Sequence, residues 1–289
     1  MLLWVIMSFE ESQIEFTAFL KSAHKASATV IAYKKDINQL LEYLKKTGKT
    51  NLKDITTEDL NNFLALLSTQ NYTPKSVSRK INSLKTFYRF LALNKAVEIN
   101  VSTSILHPKF ETKAPRILSR MEYRALRDTC REDFRVAAIV ELLLQTGMRI
   151  GELTALIMDS VSENFLKIPA IEGHSERDIP LNKAAKESLN KYLAVRPKGS
   201  AKALFITKTG KPLLTRNIRT SVDRYFKMAG ISGAKLNDLR HTFIAHHLAA
   251  GASPVLITKL VGHKRIATTE KYLEFIKDLP IEKTKLDEL

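Results

Sequence analysis

The 289-residue chain contains one cysteine, one tryptophan, ten glycines and nine prolines, and only 30 acidic residues against 46 basic ones. A single cysteine, Cys130, can form no internal disulfide, which excludes a disulfide scaffold and favours a reducing, cytoplasmic compartment. Its expected place is inside a helix as a small apolar residue. Few glycines and prolines mean few chain breaks, so long helices are expected over many-turned β architectures. No apolar run reaches the roughly 20 residues that a bilayer span requires, so no membrane association is expected. The apolar start from Met1 to Met7 is too short for a signal-peptide core and lacks a basic flank, and Met7 is an alternative start. The closing Lys285-Leu286-Asp287-Glu288-Leu289 resembles an endoplasmic-reticulum retention signal but has no secretory signal to act with. Paired cysteines and an H-E-x-x-H arrangement are both missing, so no metal is expected and His241, His246 and His247 read as packing or polar side chains. Phosphate-cradling and dinucleotide-binding glycine motifs are missing too, and no cofactor is expected.

What is abundant is positive charge. The formal net charge is +16. It is spread along the chain, with 15 basic against 10 acidic residues in 1–112 and 31 against 20 in 113–289. Two basic halves fit a clamp around a polyanion such as duplex DNA better than a single basic tail does. With 44% hydrophobic residues and this length, two packed domains are expected.

From Ser8 to about Asn94 the apolar spacing is helical throughout and predicts four helices. Thr56 and Asp59 form a capping-box pair for the third, and Thr73-Pro74 starts the fourth with proline where its missing N–H costs nothing. In that fourth helix Val77, Ile81, Leu84, Tyr88 and Leu91 build the apolar stripe. Lys75, Arg79, Lys80, Lys85 and Arg89 occupy its other faces and are the candidate DNA-backbone contacts. This domain is assigned to residues 1–100, a polar linker with Pro108 and Pro115 to 101–117, and a second domain to 118–289. The second domain opens on a Ser119/Glu122 capping box. Helices are predicted near 119–131, 133–146, 182–194, 215–228, 236–249, 253–260 and 267–276. Phe165 to Ile168 and Arg177 to Leu181 are predicted to be a hairpin around Gly173, with Ala203 to Ile206 as a third strand.

Three separated segments carry the chemistry. Thr146 to Leu153 reads T-G-x-R-x-x-E-L and sets Arg149 just after a helix-ending glycine, where its planar fork can grip phosphate oxygens. Leu239 to Phe243 reads L-R-H-x-F and places Arg240 in an apolar helix, where burial demands an anionic partner. Gly262 to Tyr272 reads G-H-x-x-I-x-T-T-x-x-Y and carries His263 and Tyr272.

In this order the motifs resemble the tyrosine site-specific recombinases, the phage-integrase family. The T-x-x-x-Y-x-x-D segment at Thr29, Tyr33 and Asp36 is similar to that family's core-binding domain, so the resemblance covers almost the whole chain. Without an extra arm-binding domain, the chain is most similar to the Xer-type members. The resemblance implies a mainly α fold: a four-helix SAM-like core-binding domain followed by an α+β catalytic domain with a small antiparallel sheet. It implies that Tyr272 attacks the scissile phosphate to form a 3′-phosphotyrosyl bond, that Arg149, Arg240 and His263 stabilise the charge developed there, and that Glu152 orients its neighbours. It also implies as partners duplex DNA with an inverted-repeat site, a homotetramer on two duplexes or a paired homologous recombinase, and a septal DNA translocase. The biological role is then chromosome-dimer resolution or mobile-element integration. A C-terminal tail with Leu279, Ile281, Leu286 and Leu289 is expected to dock on a neighbouring subunit.

Two positions depart from the family pattern. Aligning Gly173 and Pro180 puts Glu172 where the family's hairpin lysine protonates the leaving oxygen, which leaves His174 or Lys167 as substitutes. The family's H-x-x-R reads Asn237-Asp238-Leu239-Arg240, so Asn237 keeps a hydrogen-bond donor on the face of Arg240 but loses proton transfer. The departures leave an alternative: a relative that binds its DNA site and cleaves slowly or not at all. A transcriptional regulator without catalytic descent is disfavoured by the full motif order.

Overall fold

Ser8 starts the first helix by a reciprocal pair of bonds: its hydroxyl accepts the Glu11 N–H, and the Glu11 carboxylate accepts the Ser8 N–H. The computed structural model describes residues 7–111, 113–171, 173–199 and 201–276, so Glu172 and the tail positions Leu279, Ile281, Leu286 and Leu289 lie outside the described residues. The chain divides into two compact units, 1–112 and 113–289. Among the described residues no helix is long and apolar enough to cross a membrane.

The first unit contains α1 (Phe9–Ser22), α2 (Ser27–Lys46), α3 (Thr57–Thr69) and α4 (Pro74–Leu93). The Thr56/Asp59 box and the Thr73 cap with Pro74 at the first helical position are both in place. Phe16, Leu40, Leu44, Phe63, Phe87 and Leu91 from all four helices are fully buried in one core. Each such side chain contributes on the order of 1.5–3 kcal/mol by leaving water.

One of the candidate DNA contacts is corrected here. Lys80 is buried, and its Nζ donates to Asp36 Oδ1 at 2.9 Å and to Gln39 Oε1 at 2.6 Å. The cause is Asp36, a buried carboxylate on α2 that would be costly without cations. It is held by Lys80, by Ser83 Oγ at 3.1 Å and by the half-exposed Arg79. Lys80 therefore binds the helices to one another, while Lys75, Arg79 and Arg89 face solvent and Lys85 is half-buried. The stretch read as linker also begins inside this unit: Ser102 and Ile105 are buried in it, and Val101 O accepts a 2.9 Å bond from Thr57 Oγ1.

The second unit contains α5 (Arg120–Cys130), α6 (Phe134–Thr146), α7 (Ile150–Ala155), β1 (Phe165–Ile168), β2 (Arg177–Pro180), α8 (Lys183–Val195), α9 (Thr215–Met228), α10 (Leu236–Ala249), α11 (Pro254–Val261) and α12 (Ala267–Phe275). α6 is apolar nearly all round, so it is buried nearly all round and packs against α8, α10, α5 and α9. It stops at Gly147, which adopts φ +59° and lies so close to the Phe243 ring that a Cβ there would fall 2.4 Å from it. Cys130 is buried in α5, as expected, and burial pushes its thiol up to about 12, which leaves it unreactive.

β1 and β2 pair antiparallel, with Lys167 opposite Asp178 and Ile168 opposite Arg177. The predicted third strand is not one. Residues 203–206 meet only isolated bridge partners, Ile157 to Ala203 and Ile206 to Pro212. Side chains take the carbonyls of Ala203, Leu204 and Ile206: Arg196 Nη2 donates to Ala203 O, Arg196 Nε and Tyr192 Oη donate to Leu204 O, and Arg135 Nη1 donates to Ile206 O, while Phe205 O accepts the Leu213 N–H. Leu204, Phe205 and Ile206 are all buried, the pattern of a segment sunk in a core rather than one alternating across a sheet.

Candidate active site

Arg149 sits at the N-cap of α7, placed there by the left-handed turn at Gly147. Its guanidinium donates to Val261 O at 3.2 Å and Gly262 O at 2.8 Å, which ties the start of α7 to the end of α11. Glu152, one turn on, is buried and accepts from the Arg149 backbone N–H at 2.8 Å and from Arg149 Nη1 at 3.0 Å. The same carboxylate accepts a fork from Arg177 of β2, at 2.9 and 2.8 Å. Burial alone would raise its pKa, but the Arg177 and Arg149 bonds and charges outweigh this and hold it at about 2. Glu152 is therefore an ionised brace between two arginines. Arg177 Nε also donates to Leu260 O at 2.7 Å. That contact requires glycine at 262, which has φ +65° and where a Cβ would lie 2.7 Å from Arg177 Nη1.

Arg240 enters from the middle of α10 and is buried. Its Nη1 donates to Gly147 O, and its Nη2 is buried with no hydrogen-bond partner among the described residues. Burial first, and the Arg149 charge second, push this guanidinium down to about 9, so it stays cationic at neutral pH. A buried cationic N–H without an acceptor is costly, and an anion placed against it removes that cost.

His263 follows Gly262, and its Nδ1 lies 2.7 Å from Thr269 Oγ1, itself 2.7 Å from Thr258 Oγ1. A run of donation from Thr258 to Thr269 to Nδ1 leaves the ring proton on Nε2 as a donor. Burial, then the charges of Arg240 and Arg149, push His263 down to about 4, so the ring is neutral at physiological pH. Tyr272 on α12 is buried with Phe243, Leu248 and Val261. Burial raises its phenol above the ordinary value, with Arg240 pulling the other way. Its Oη lies 2.6 Å from His241 Nδ1, and His241 Nε2 lies 2.8 Å from the Asn237 carboxamide.

The three segments that carry Arg149 and Glu152, Arg240, and His263 and Tyr272 thus converge. The other candidates differ. Lys167 is exposed and paired with Glu176 at 3.5 Å, away from this cluster of bonds. His174 is in the hairpin turn, bridged to Ile171, and burial and then the charges of Arg149 and Lys264 lower its pKa. Sequence reasoning missed Arg177, Thr258, Thr269, Lys264 and the role of His241. Lys264 directly follows His263, and its Nζ lies 3.2 Å from where a Cβ on Gly173 would sit, at the hairpin turn. His241 and Thr269 stand in the quoted motifs and Arg177 in the predicted hairpin, but only the folded contacts reveal what they touch. Among the described residues no group of three His, Cys, Asp or Glu side chains could hold a metal ion.

Residues 116–277 match the phage integrase family, and residues 14–95 match the N-terminal SAM-like domain of phage integrases. The chain belongs to the phage integrase family. It is 31% identical over 273 residues to the tyrosine recombinase XerC of Staphylococcus haemolyticus, covering 91% of this chain and 92% of that protein. The tyrosine recombinase XerD of Rickettsia bellii is 31% identical over 266 residues, covering 84% and 87%. The fold matches a lambda integrase tetramer bound to a Holliday junction, with a TM-score of 0.74 at 18% identity, over 97% of this chain and 81% of that one. The chain is a site-specific tyrosine recombinase, an enzyme that breaks and rejoins DNA strands. This favours the enzyme over the binding-only alternative.

Proposed function

We propose that the recombinase cleaves DNA through attack of Tyr272 Oη on the scissile phosphate, held by Arg149, Arg240 and His263. The Oη–P bond forms, the bond to the 5′-oxygen breaks, and a 5′-hydroxyl leaves. The energy of the broken linkage is kept in the phosphotyrosine, so rejoining by another strand's 5′-hydroxyl needs no ATP. The observation that carries this reading is the buried, unpartnered Arg240 Nη2 in the same cluster as Tyr272. A phosphorane carries more negative charge than the ground-state diester, so fixed guanidinium donors favour the transition state over the substrate. Glu152 and Arg177 act by fixing Arg149 in place. The leaving 5′-oxygen takes its proton at the hairpin, where His174 and the Lys264 ammonium lie.

The substrate is duplex DNA with inverted-repeat binding sites, and four subunits, or two each of a paired homologue, assemble on two duplexes in the cytoplasm. The lambda integrase tetramer on a Holliday junction supports this assembly through its shared fold. Lys75, Arg79, Lys85 and Arg89 are the backbone contacts of the first domain, and a septal DNA translocase is the partner if the role is chromosome-dimer resolution. A suicide DNA substrate nicked near the cleavage position tests the chemistry. Wild type should give a gel-stable protein–DNA adduct and Tyr272→Phe none; no adduct from wild type on its selected site would refute the reading.

A further inference from the structure

We propose that His241 is the general base that takes the Tyr272 proton during strand cleavage, and that Asn237 holds its imidazole in the tautomer this requires. The inference rests on Tyr272 being the nucleophile. Its basis is an unbroken chain of contacts from the exposed surface of α10 to the reacting oxygen. His241 Nδ1 lies 2.6 Å from Tyr272 Oη, and its Nε2 lies 2.8 Å from Asn237 Nδ2, an amide nitrogen that a half-turn of the carboxamide exchanges for its oxygen. Asn237 and His241 are four residues apart on α10 and so share a face. His263, the other imidazole of the cluster, has its Nδ1 engaged with Thr269.

The chemistry asks for such a group. Burial raises the Tyr272 phenol, so little phenolate exists at neutral pH, and the proton must leave as the Oη–P bond forms. A neutral imidazole already in hydrogen-bond contact can accept it. The groups that face the His241 ring are Asp238 and Arg240 on its own helix, Tyr272 on α12, and His263 from the turn between α11 and α12. Burial and Arg240 disfavour the imidazolium and Asp238 favours it, and the net effect lowers the ring below its ordinary 6.5, so it is neutral and ready to accept.

Asn237 decides which nitrogen accepts. Its carboxamide can turn either its NH2 or its oxygen toward Nε2, and at an exposed position this half-turn disturbs no packing. With the NH2 inward, the ring proton sits on Nδ1, which can then only donate to Oη. With the oxygen inward, it accepts Nε2–H and leaves Nδ1 a lone pair for the phenol proton. Transfer favours the second arrangement, because the imidazolium it creates has an Nε2–H that only the carboxamide oxygen can stabilise. In the full step the Oη–H bond breaks and its proton passes to Nδ1, while the Oη–P bond forms and the P–O5′ bond opens. On rejoining, the imidazolium returns the proton to Oη. The loss of an imidazole at 237, read from sequence as a loss of proton transfer, is thus a transfer of that task by one helical turn.

Single-turnover cleavage of the nicked substrate between about pH 5 and 9 tests this, with equal DNA binding as the check on folding. Tyr272→Phe should give no adduct; if it does give one, the nucleophile assignment itself fails. His241→Gln should slow cleavage roughly a hundredfold or more, the usual size of a lost general base. The wild-type loss of rate toward acid pH should vanish with it, and added imidazole should restore part of the rate of His241→Gly. Asn237→Asp should move the acid limb to higher pH, because a carboxylate at Nε2 favours the imidazolium. With Tyr272→Phe inactive, the proposal is overturned if His241→Gln cleaves within threefold of wild type or keeps the acid limb. An unmoved limb in Asn237→Asp also overturns it.

Discussion

Lys264 is a residue whose importance comes from where its chain folds. It is one position beyond His263, yet its ammonium reaches the hairpin turn at Gly173 and lowers the pKa of His174. An alkoxide is a poor leaving group without a proton, and a lysine ammonium is a suitable donor. Lys264→Ala should therefore slow cleavage of an ordinary phosphodiester by roughly a hundredfold, the scale of a lost general acid. It should cleave a substrate with sulfur in place of the 5′-bridging oxygen at near wild-type rate, since a thiolate leaves unprotonated. His174→Ala should show a smaller loss; a Lys264→Ala defect that persists with the sulfur substrate would remove Lys264 from this role. Arg149, Arg240, His263 and Tyr272, the residues proposed to handle the phosphate, stand in motifs legible in the sequence, and the fold brings those motifs together. Arg177 and Thr258 stand outside those motifs, while Lys264 at an open position of one and Thr269 at a fixed position drew no role, since lysines, arginines and threonines are common and only contact distinguishes them.

At the scale of elements, the site depends on how α11 ends. The left-handed Gly262 stops the helix and clears space for Arg177, which braces Glu152 and through it Arg149. Gly262→Ala should lose about 1 kcal/mol to backbone strain, and more as Arg177 is displaced. Gly251→Ala is the control, since Gly251 has φ +90° but nothing within 4 Å of a Cβ. Thermal unfolding with a cleavage assay should show the Gly262 variant melting lower and cleaving more slowly than the Gly251 variant. Equal behaviour would mean that the Arg177 brace does not matter. Helix starts were readable at Ser8, Thr56, Thr73 and Ser119, because a capping side chain bonds its own next turn and needs no distant partner. Residues 203–206 were not readable as a loop, because the side chains that bond the Ala203 and Leu204 carbonyls, Tyr192 of α8 and Arg196 just beyond it, reach them only in the fold.

For the whole molecule, the +16 charge is distributed between both units and should make DNA affinity fall steeply with salt. If about six phosphates are contacted, the site-specific equilibrium constant should drop roughly a thousandfold between 50 and 200 mM salt. Lys75→Ala should flatten the salt slope by about one unit, as expected for a lost phosphate contact. Lys80→Ala should leave the slope unchanged but lower the melting temperature, because it strips a cation from the buried Asp36. A flattened slope in Lys80→Ala would return that lysine to the DNA-facing surface.

The sequence by itself determined the helical class, most helix boundaries and the residue types of the proposed phosphate site. These follow from local rules of spacing, capping and side-chain chemistry, which act within a few residues. Only the tertiary structure decided which charges face solvent and which hold helices together, and which histidine touches the Tyr272 oxygen. A lysine on α4 is driven inward by a carboxylate 44 residues away, and His241 meets a phenol 31 residues on. Such pairings follow from the cost of burying an unpaired charge or polar group, and that cost exists only once the chain has brought distant segments together.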